Sequence, residues 1–440
     1  MKRAALHNLG CKVNACETQA MRELLEKDGY EIVEFTDIAD VYVVNTCTVT
    51  QIADRKSRQM LHRARRLNPD AVIVAAGCYV ESAKREGKTD DAVDIYIGND
   101  EKSTLIPKLH AYAAHHETIS CDSDIAHSST FESLPVTRSD SHVRAFLKIE
   151  DGCNRFCSYC LIPYVRGRIR SLPPQEVLSQ ARALSEAGCR EIVLDGIHLT
   201  SYGTDLSGGT EDACTDASLI GLLRRLEEVD GIERIRLGSL EPDYITEETA
   251  DALSRITKLC PHFHLSLQSG CDSVLKRMNR RYTTDAFREK CNLLRTCFDH
   301  PALTTDVITG FPGETPQEFE ATRIFLEEIC FYQIHVFPYS PRKGTKAASM
   351  PGQVDSAVKK QRRDIICALT ARQQTDYENA LLGKTVRVLI EEEKEADGVM
   401  CSMGHTDEYV YASADGKPGE IIKGTLLRNT NGALKILALQ

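Results

Sequence analysis

Residues 143–160 read VRAFLKIEDGCNRFCSYC: an apolar β-rich run, an acidic turn, then Cys153, Cys157 and Cys160 in a C-x3-C-x2-C spacing. The run predicts a strand over 143 to 149, with the three thiols in the loop at its carboxyl end. Downstream, β-branched runs at 191 to 195, 233 to 238, 262 to 267, 303 to 309 and 333 to 337 alternate with helical patterns at 174 to 187, 218 to 229, 246 to 257, 284 to 298 and 316 to 329. Six βα repeats predict an open, partial (β/α)6 barrel whose chemistry lies on its C-terminal rim. A polar, Gly-containing insertion, Tyr202 to Asp216, falls on that rim, and its Gly208-Gly209 lacks the strand and helix context of a phosphate cradle.

Before the barrel, residues 1–114 alternate strand patterns (4 to 9, 41 to 45, 71 to 76) with helical ones (17 to 28, 50 to 67), which predicts an α/β domain on a parallel sheet. Residues 115–141, rich in Ser, Asp and His, read as a linker or a loosely packed excursion, and 142–353 as the barrel. A charged connecting helix over 354–382 follows. Residues 383–440 carry four short β runs between Gly, Asp and Asn turns, which predicts a small all-β barrel.

The 440 residues carry 54 Lys+Arg against 64 Asp+Glu, a net charge of −10, with 42% hydrophobic residues, so disorder is excluded as the main theme. No apolar run reaches the ~18 residues of a membrane span, and the start lacks a leader pattern; the expectation is a cytoplasmic protein away from membranes. Seventeen Cys and no Trp stand out in a chain expected to stay reduced, where disulfides are uncommon. Metal, cluster or redox chemistry is therefore weighed before packing.

The loop thiols fit a [4Fe-4S] cluster with three protein ligands, which leaves one iron open to a small molecule. A zinc site, which wants four ligands, and a chance grouping stay open on spacing alone. A second set is visible by placement. Cys11, Cys47 and Cys78 each follow a predicted strand of the first domain, so parallel neighbouring strands would bring them to one sheet edge. The other eleven, Cys16 among them, read as small apolar residues. His262 and His264 read as satisfied barrel histidines.

The cysteine loop resembles that of the radical S-adenosylmethionine (SAM) superfamily. Further motifs are Ile162-Pro163-Tyr164-Val165-Arg166-Gly167, Leu267-Gln268-Ser269-Gly270 and Asp306 to Glu314 (DVITGFPGE). Together with the order of domains, they make the whole chain similar to the radical SAM methylthiotransferases. The resemblance implies a radical SAM barrel with a C-terminal TRAM-like RNA-binding domain. It implies one [4Fe-4S] cluster on Cys153, Cys157 and Cys160, a second on Cys11, Cys47 and Cys78, and SAM beside Tyr159, Gly196, Gln268, Asp306 and Gly310. The superfamily's Gly-Gly-Glu motif is replaced by Asp195-Gly196-Ile197. The segment Gly10-Cys11-Lys12-Val13-Asn14 resembles the branch that acts on N6-threonylcarbamoyladenosine beside the tRNA anticodon. Other branches act on isopentenyladenosine in tRNA or on a ribosomal-protein aspartate, and a non-catalytic iron-sulfur RNA-binding protein is the alternative of another class. The family's chemistry uses SAM both as radical source and as methyl donor, and needs an electron donor such as flavodoxin or ferredoxin and a sulfur source. A monomer is expected.

An acidic chain can still bind an RNA stem-loop if positive charge is local. Residues 55 to 66 hold six Lys/Arg and no acid, with Arg55, Lys56, Arg58 and Arg63 as candidate phosphate contacts. Arg166, Arg168 and Arg170 follow the cysteine loop, and further runs lie at 276 to 281 and 359 to 363. From Gly383 on there are 7 Lys/Arg and 9 Asp/Glu, so RNA binding there needs one face, with Lys384, Arg387, Lys423 and Arg428 as candidates beside Tyr409 or Tyr411.

Overall fold

The computed structural model describes residues 2–138, 143–206, 217–396, 399–429 and 432–438. Cys214, Gly208-Gly209 and most of the predicted rim insertion lie outside the described residues.

Burial on both faces drives the first sheet: every residue of Val41–Thr46 is buried, as a central strand covered on two sides requires. Five parallel strands run in the order Glu31–Val33, Arg3–Asn8, Val41–Thr46, Val72–Gly77, Ile95–Ile97. Met21, Leu25, Leu105 and Leu109, from helices Lys12–Lys27 and Leu105–His115, pack against one set of strand side chains. Leu61, Ala64, Val80 and Ala83, from Gln51–Leu67 and Cys78–Glu86, pack against the other. The two outermost strands were not predicted, because three residues each show no period.

The stretch expected to be a loose linker is anchored. Ile119 bridges to Ile95, Cys121, Ile125 and Val136 are buried, and the Thr137 N–H donates to Glu23 Oε1 at 3.0 Å.

Six parallel strands then form the partial barrel in chain order: Arg144–Asp151, Glu191–Gly196, Arg234–Leu237 continuing as Ser239–Leu240, His262–Leu265, Ala302–Thr309 and Gln333–Pro338. The third is interrupted at Gly238, where a side chain would meet Asp195 Oδ1 at 2.6 Å. Five outer helices cover it, and their starts are encoded locally. At Thr315 the side chain accepts from Glu318 N, and the Glu318 side chain accepts from Thr315 N, a reciprocal cap worth about 1 kcal/mol. The 26-residue helix Ser356–Leu381 leads to a closed five-stranded barrel. Its strand Val399–Thr406 was not among the four predicted runs.

That small barrel docks on the N-terminal mouth of the large one. Arg234 Nη1 donates to His405 O at 2.9 Å and Arg236 Nη1 to Asp407 O at 2.9 Å. Glu191, fully buried, neutralises Arg144, Arg234 and Arg236. Tyr409, at φ +72°, stacks on His262 with ring centres 4.6 Å apart and closes this end of the lumen. The tyrosine entertained as an RNA contact is thus half-buried, stacked against the barrel.

Candidate functional site

The first sheet pairs Asn8 with Asn45 and Thr46 with Gly77, so three strands end level. Cys11, Cys47 and Cys78 consequently follow at one edge. Asn14 ties the ends together: its Nδ2 donates to Leu9 O at 2.7 Å and Thr46 O at 2.9 Å. Gly10, at φ +110°, is a position where a Cβ would lie 2.9 Å from Cys47 Cβ. Ser57 Oγ accepts from Cys47 N and donates to Cys47 O, and Asn99 Nδ2 approaches Cys78 Sγ at 3.5 Å. Burial pushes the Cys11 thiol up to about 12 and Cys47 to about 11. By solvent accessibility Cys11 is the exposed member of the trio, whereas Cys47 and Cys78 are buried.

On the barrel side Cys153, Cys157 and Cys160 lie past Arg144–Asp151. The N–H of Arg155 donates to Cys153 Sγ and that of Ile162 to Cys160 Sγ, both at 3.4 Å. Arg280 Nη1 reaches Cys157 Sγ at 3.4 Å and is held by Glu241. Burial pushes Cys153 up to about 12 and raises Cys160 further. Phe156 takes the left-handed region at φ +51°, which turns the backbone within the loop.

Both trios suit a cluster better than a single ion. Three sulfurs on one zinc, at ~2.3 Å each, stand roughly 4 Å apart. Among the described residues, the one group of three candidate ligands with all its atoms within 4.8 Å is His264, Asp306 and His335, and neither cysteine trio is so tight. Buried thiols with raised pKa values ionise only when a cation compensates them, as cluster iron does, and the N–H donors around the sulfurs favour the thiolate.

Arg166, read from sequence as a phosphate contact, is fully buried and paired within the protein. Its Nη2 donates to Asn14 Oδ1 at 2.7 Å, and its Nη1 to Glu17 Oε1 at 2.9 Å and Asp151 Oδ2 at 3.0 Å. Burial opposes ionisation of Glu17, but Arg166, Lys102 and Lys148 overcome it and hold the carboxyl well below its usual range. This network bolts the first domain to the barrel beside the first trio. Arg170 is buried beside it. Sequence could not show this, because Glu17 and Arg166 are remote in the chain; the signal available was an acid on an otherwise apolar helix face.

The remaining basic candidates divide. Arg55, Lys56, Arg58 and Arg63 are exposed on Gln51–Leu67, and Arg55 and Arg58 border a groove of about 740 Å³ shared with Arg342 and Lys343. Arg168 is exposed and lies over the Phe156 ring at 4.7 Å. Lys384 instead contacts His300, and Arg428 pairs with Glu378 and Asn379, so both hold the seam of the small barrel. Arg387 pairs with Asp407, and Lys423 is exposed. Arg280 and Arg362, from the two later runs, are paired internally with Glu241 and Glu314.

Of the residues expected beside SAM, Tyr159 packs edge-on to Phe311 at 6.4 Å. Gln268 adopts φ +71° and exchanges backbone hydrogen bonds with Asp306 and Ile308. The Gly310 N–H donates to Glu314 Oε2 at 2.8 Å, and a Cβ at Gly196 would strike Glu150 Oε2 at 2.8 Å. Asp306 faces His264 across 3.5 Å. Among the cysteines set aside, Cys16, Cys121, Cys189, Cys260 and Cys291 are buried, whereas Cys330 and Cys367 are exposed.

Residues 3–98 match the model of "Uncharacterized protein family UPF0004", and residues 147–326 match that of the Radical SAM superfamily. A Bacillus subtilis protein named threonylcarbamoyladenosine tRNA methylthiotransferase MtaB is 40% identical over 97% of this chain and 94% of its own. The chain belongs to the radical SAM methylthiotransferase family. An Aquifex aeolicus protein of the same name is 36% identical over 89% of this chain and 93% of its own. A Thermoanaerobacter protein named tRNA-2-methylthio-N(6)-dimethylallyladenosine synthase is 35% identical over 93% and 87%. Among solved structures, the radical SAM methyltransferase TsrM from Kitasatospora setae is similar, at TM-score 0.52 and 14% identity over 78% of this chain and 75% of that one. That likeness supports the fold alone. A methylthiotransferase of this family is an enzyme that uses SAM and [4Fe-4S] clusters. No helix among the described residues is long and apolar enough to cross a membrane.

Proposed function

We propose that this protein converts N6-threonylcarbamoyladenosine, next to the anticodon at position 37 of tRNA, to its 2-methylthio derivative. The observation that carries the reading is a cysteine trio at the strand ends of each of two domains, with Arg166 joining Asn14 and Glu17 of the first domain to Asp151 of the barrel. In this reading Cys153, Cys157 and Cys160 hold the cluster that binds SAM, and Cys11, Cys47 and Cys78 hold the second. Adenine C2 carries a C–H bond that a general base cannot usefully deprotonate, and the chemistry that SAM and the clusters supply when bound is hydrogen abstraction and transfer of a methylated sulfur.

The chain's own residues bind, orient and exclude. Arg280 and the loop N–H groups donate to sulfur, which stabilises ligating thiolates and tunes a cluster. Tyr159, packed against Phe311, would sit beside the SAM adenine, and Gly196, Gln268, Asp306 and Gly310 are the other residues that would hold the cofactor. The Tyr409 plug closes the far end of the lumen to water. Arg55, Lys56, Arg58, Arg63 and Arg168 neutralise phosphates of the anticodon stem-loop. A low-potential donor such as flavodoxin or ferredoxin supplies electrons, and a separate sulfur source replenishes what each product removes. The protein works as a monomer in the cytoplasm.

The test is nucleoside analysis of bulk tRNA by mass spectrometry from cells with and without the gene. The 2-methylthio derivative of N6-threonylcarbamoyladenosine disappears in the deletion and its precursor accumulates. A 2-methylthio group lost from isopentenyladenosine instead moves the enzyme to the other tRNA branch; an unchanged nucleoside profile points to the ribosomal-protein substrate.

A further inference from the structure

The barrel lumen is lined by charge where an apolar substituent would need none. Its strands turn Asp195, His262, His264, Asp306 and His335 inward. His264 Nδ1 is 3.1 Å from Thr304 Oγ1, while its buried Nε2 faces Asp306 Oδ2 at 3.5 Å without a hydrogen bond. The His264 and His335 rings lie parallel within 27° at 5.7 Å. The first domain adds one cation to this space. Lys12, next to Cys11, is exposed to the cavity, with Nζ 6.0 Å from the centre of the Phe146 ring, and it bears electrostatically on Asp195, His262 and His335.

For a base held between the two trios, this lumen is the space that its N6 substituent would enter. A dimethylallyl group would strip water from Lys12 and the histidines and give nothing back, a cost of burying unpaired polar groups. A threonylcarbamoyl group brings a carboxylate, a hydroxyl and urea N–H donors. Resting on the substrate reading above, we infer that Lys12 is the residue that selects the substrate, by pairing its ammonium with the carboxylate of the threonyl group. His264 and His335 form the polar wall that takes the urea N–H and the hydroxyl. Selection then works in both directions, since the same wall rejects an apolar substituent.

The experiment compares anticodon stem-loop RNAs bearing N6-threonylcarbamoyladenosine, its threonyl methyl ester, or plain adenosine, with the full-length reconstituted enzyme. Equilibrium binding and the kcat/KM of methylthiolation are read for wild type, Lys12→Met and Lys12→Arg. Wild type is expected to favour the acid over the ester by roughly 30-fold or more, the scale of a desolvated charge pair. Lys12→Met is expected to bring that ratio near one, and Lys12→Arg to restore most of it. Equal binding and turnover of acid and ester by wild type, or undiminished preference in Lys12→Met, overturns the inference. Failure of the wild type to distinguish the acid RNA from plain adenosine, without methylthio product, overturns the substrate reading itself.

Discussion

Gly10 and Arg166 show how single residues place the first-domain sulfurs. Any side chain at Gly10 runs into Cys47, and the backbone there is one that L-residues avoid. Gly10→Ala should therefore lose the second cluster and keep the first: iron per chain should fall from about eight to about four, with retained SAM cleavage as the companion readout. Arg166→Ala leaves Glu17 and Asp151 buried with Lys148 as their remaining shared cation, and the loss of the charged hydrogen bonds is expected to cost about 1.5–3 kcal/mol. Thermal unfolding of the anaerobic protein checks it, with the exposed Arg168→Ala as a control that should move little. Arg166 was legible in the sequence as a basic residue near the cysteine loop, not as a buried one. Charge runs look the same whether their partners are phosphates or acids from another domain. Lys12 was legible as part of the segment Gly10 to Asn14 that resembles one branch of the family, but not as a residue near the lumen, which depends on how the first domain docks.

Regular elements were more readable than single charges. All six barrel strands begin and end within a few residues of their predicted runs, because the apolar residues that face the outer helices recur along each of them even where the lumen face is polar. The strands missed were Glu31–Val33 and Ile95–Ile97, too short to show a period, and Val399–Thr406, whose Ser402, Gly404 and His405 break alternation. The helix Gln51–Leu67 offers a direct prediction at this scale. Arg55, Lys56 and Arg63 are exposed, so replacing all three with Ala should leave stability within about 0.5 kcal/mol. Binding to tRNA should weaken, and the slope of log affinity against log salt should shrink by about three. Binding isotherms at several salt concentrations read this out; an unchanged slope removes that helix from the RNA interface.

At the scale of the molecule, three domains stack along one lumen. The α/β domain caps the end where strands finish and brings one cysteine trio; the small β-barrel seals the other end with Tyr409. The family order of domains was legible from sequence, while the sealing was not, because nothing in a charge or hydropathy pattern tells a tyrosine that faces RNA from one that stacks on His262. Tyr409→Ala is expected to leave both clusters intact but to loosen the C-terminal barrel, seen as faster hydrogen exchange across Thr406–Tyr411 and the strand starts at Arg234 and His262. The two trios are expected to do different work on one base. The direct measurement is product analysis by mass spectrometry of single reactions containing anticodon stem-loop RNA, SAM, sulfide, reductant and anaerobically reconstituted enzyme. Wild type should yield 5′-deoxyadenosine and methylthiolated base; Cys157→Ala should yield neither; Cys47→Ala should yield 5′-deoxyadenosine without methylthiolated base. Full methylthiolation by Cys47→Ala would contradict the account.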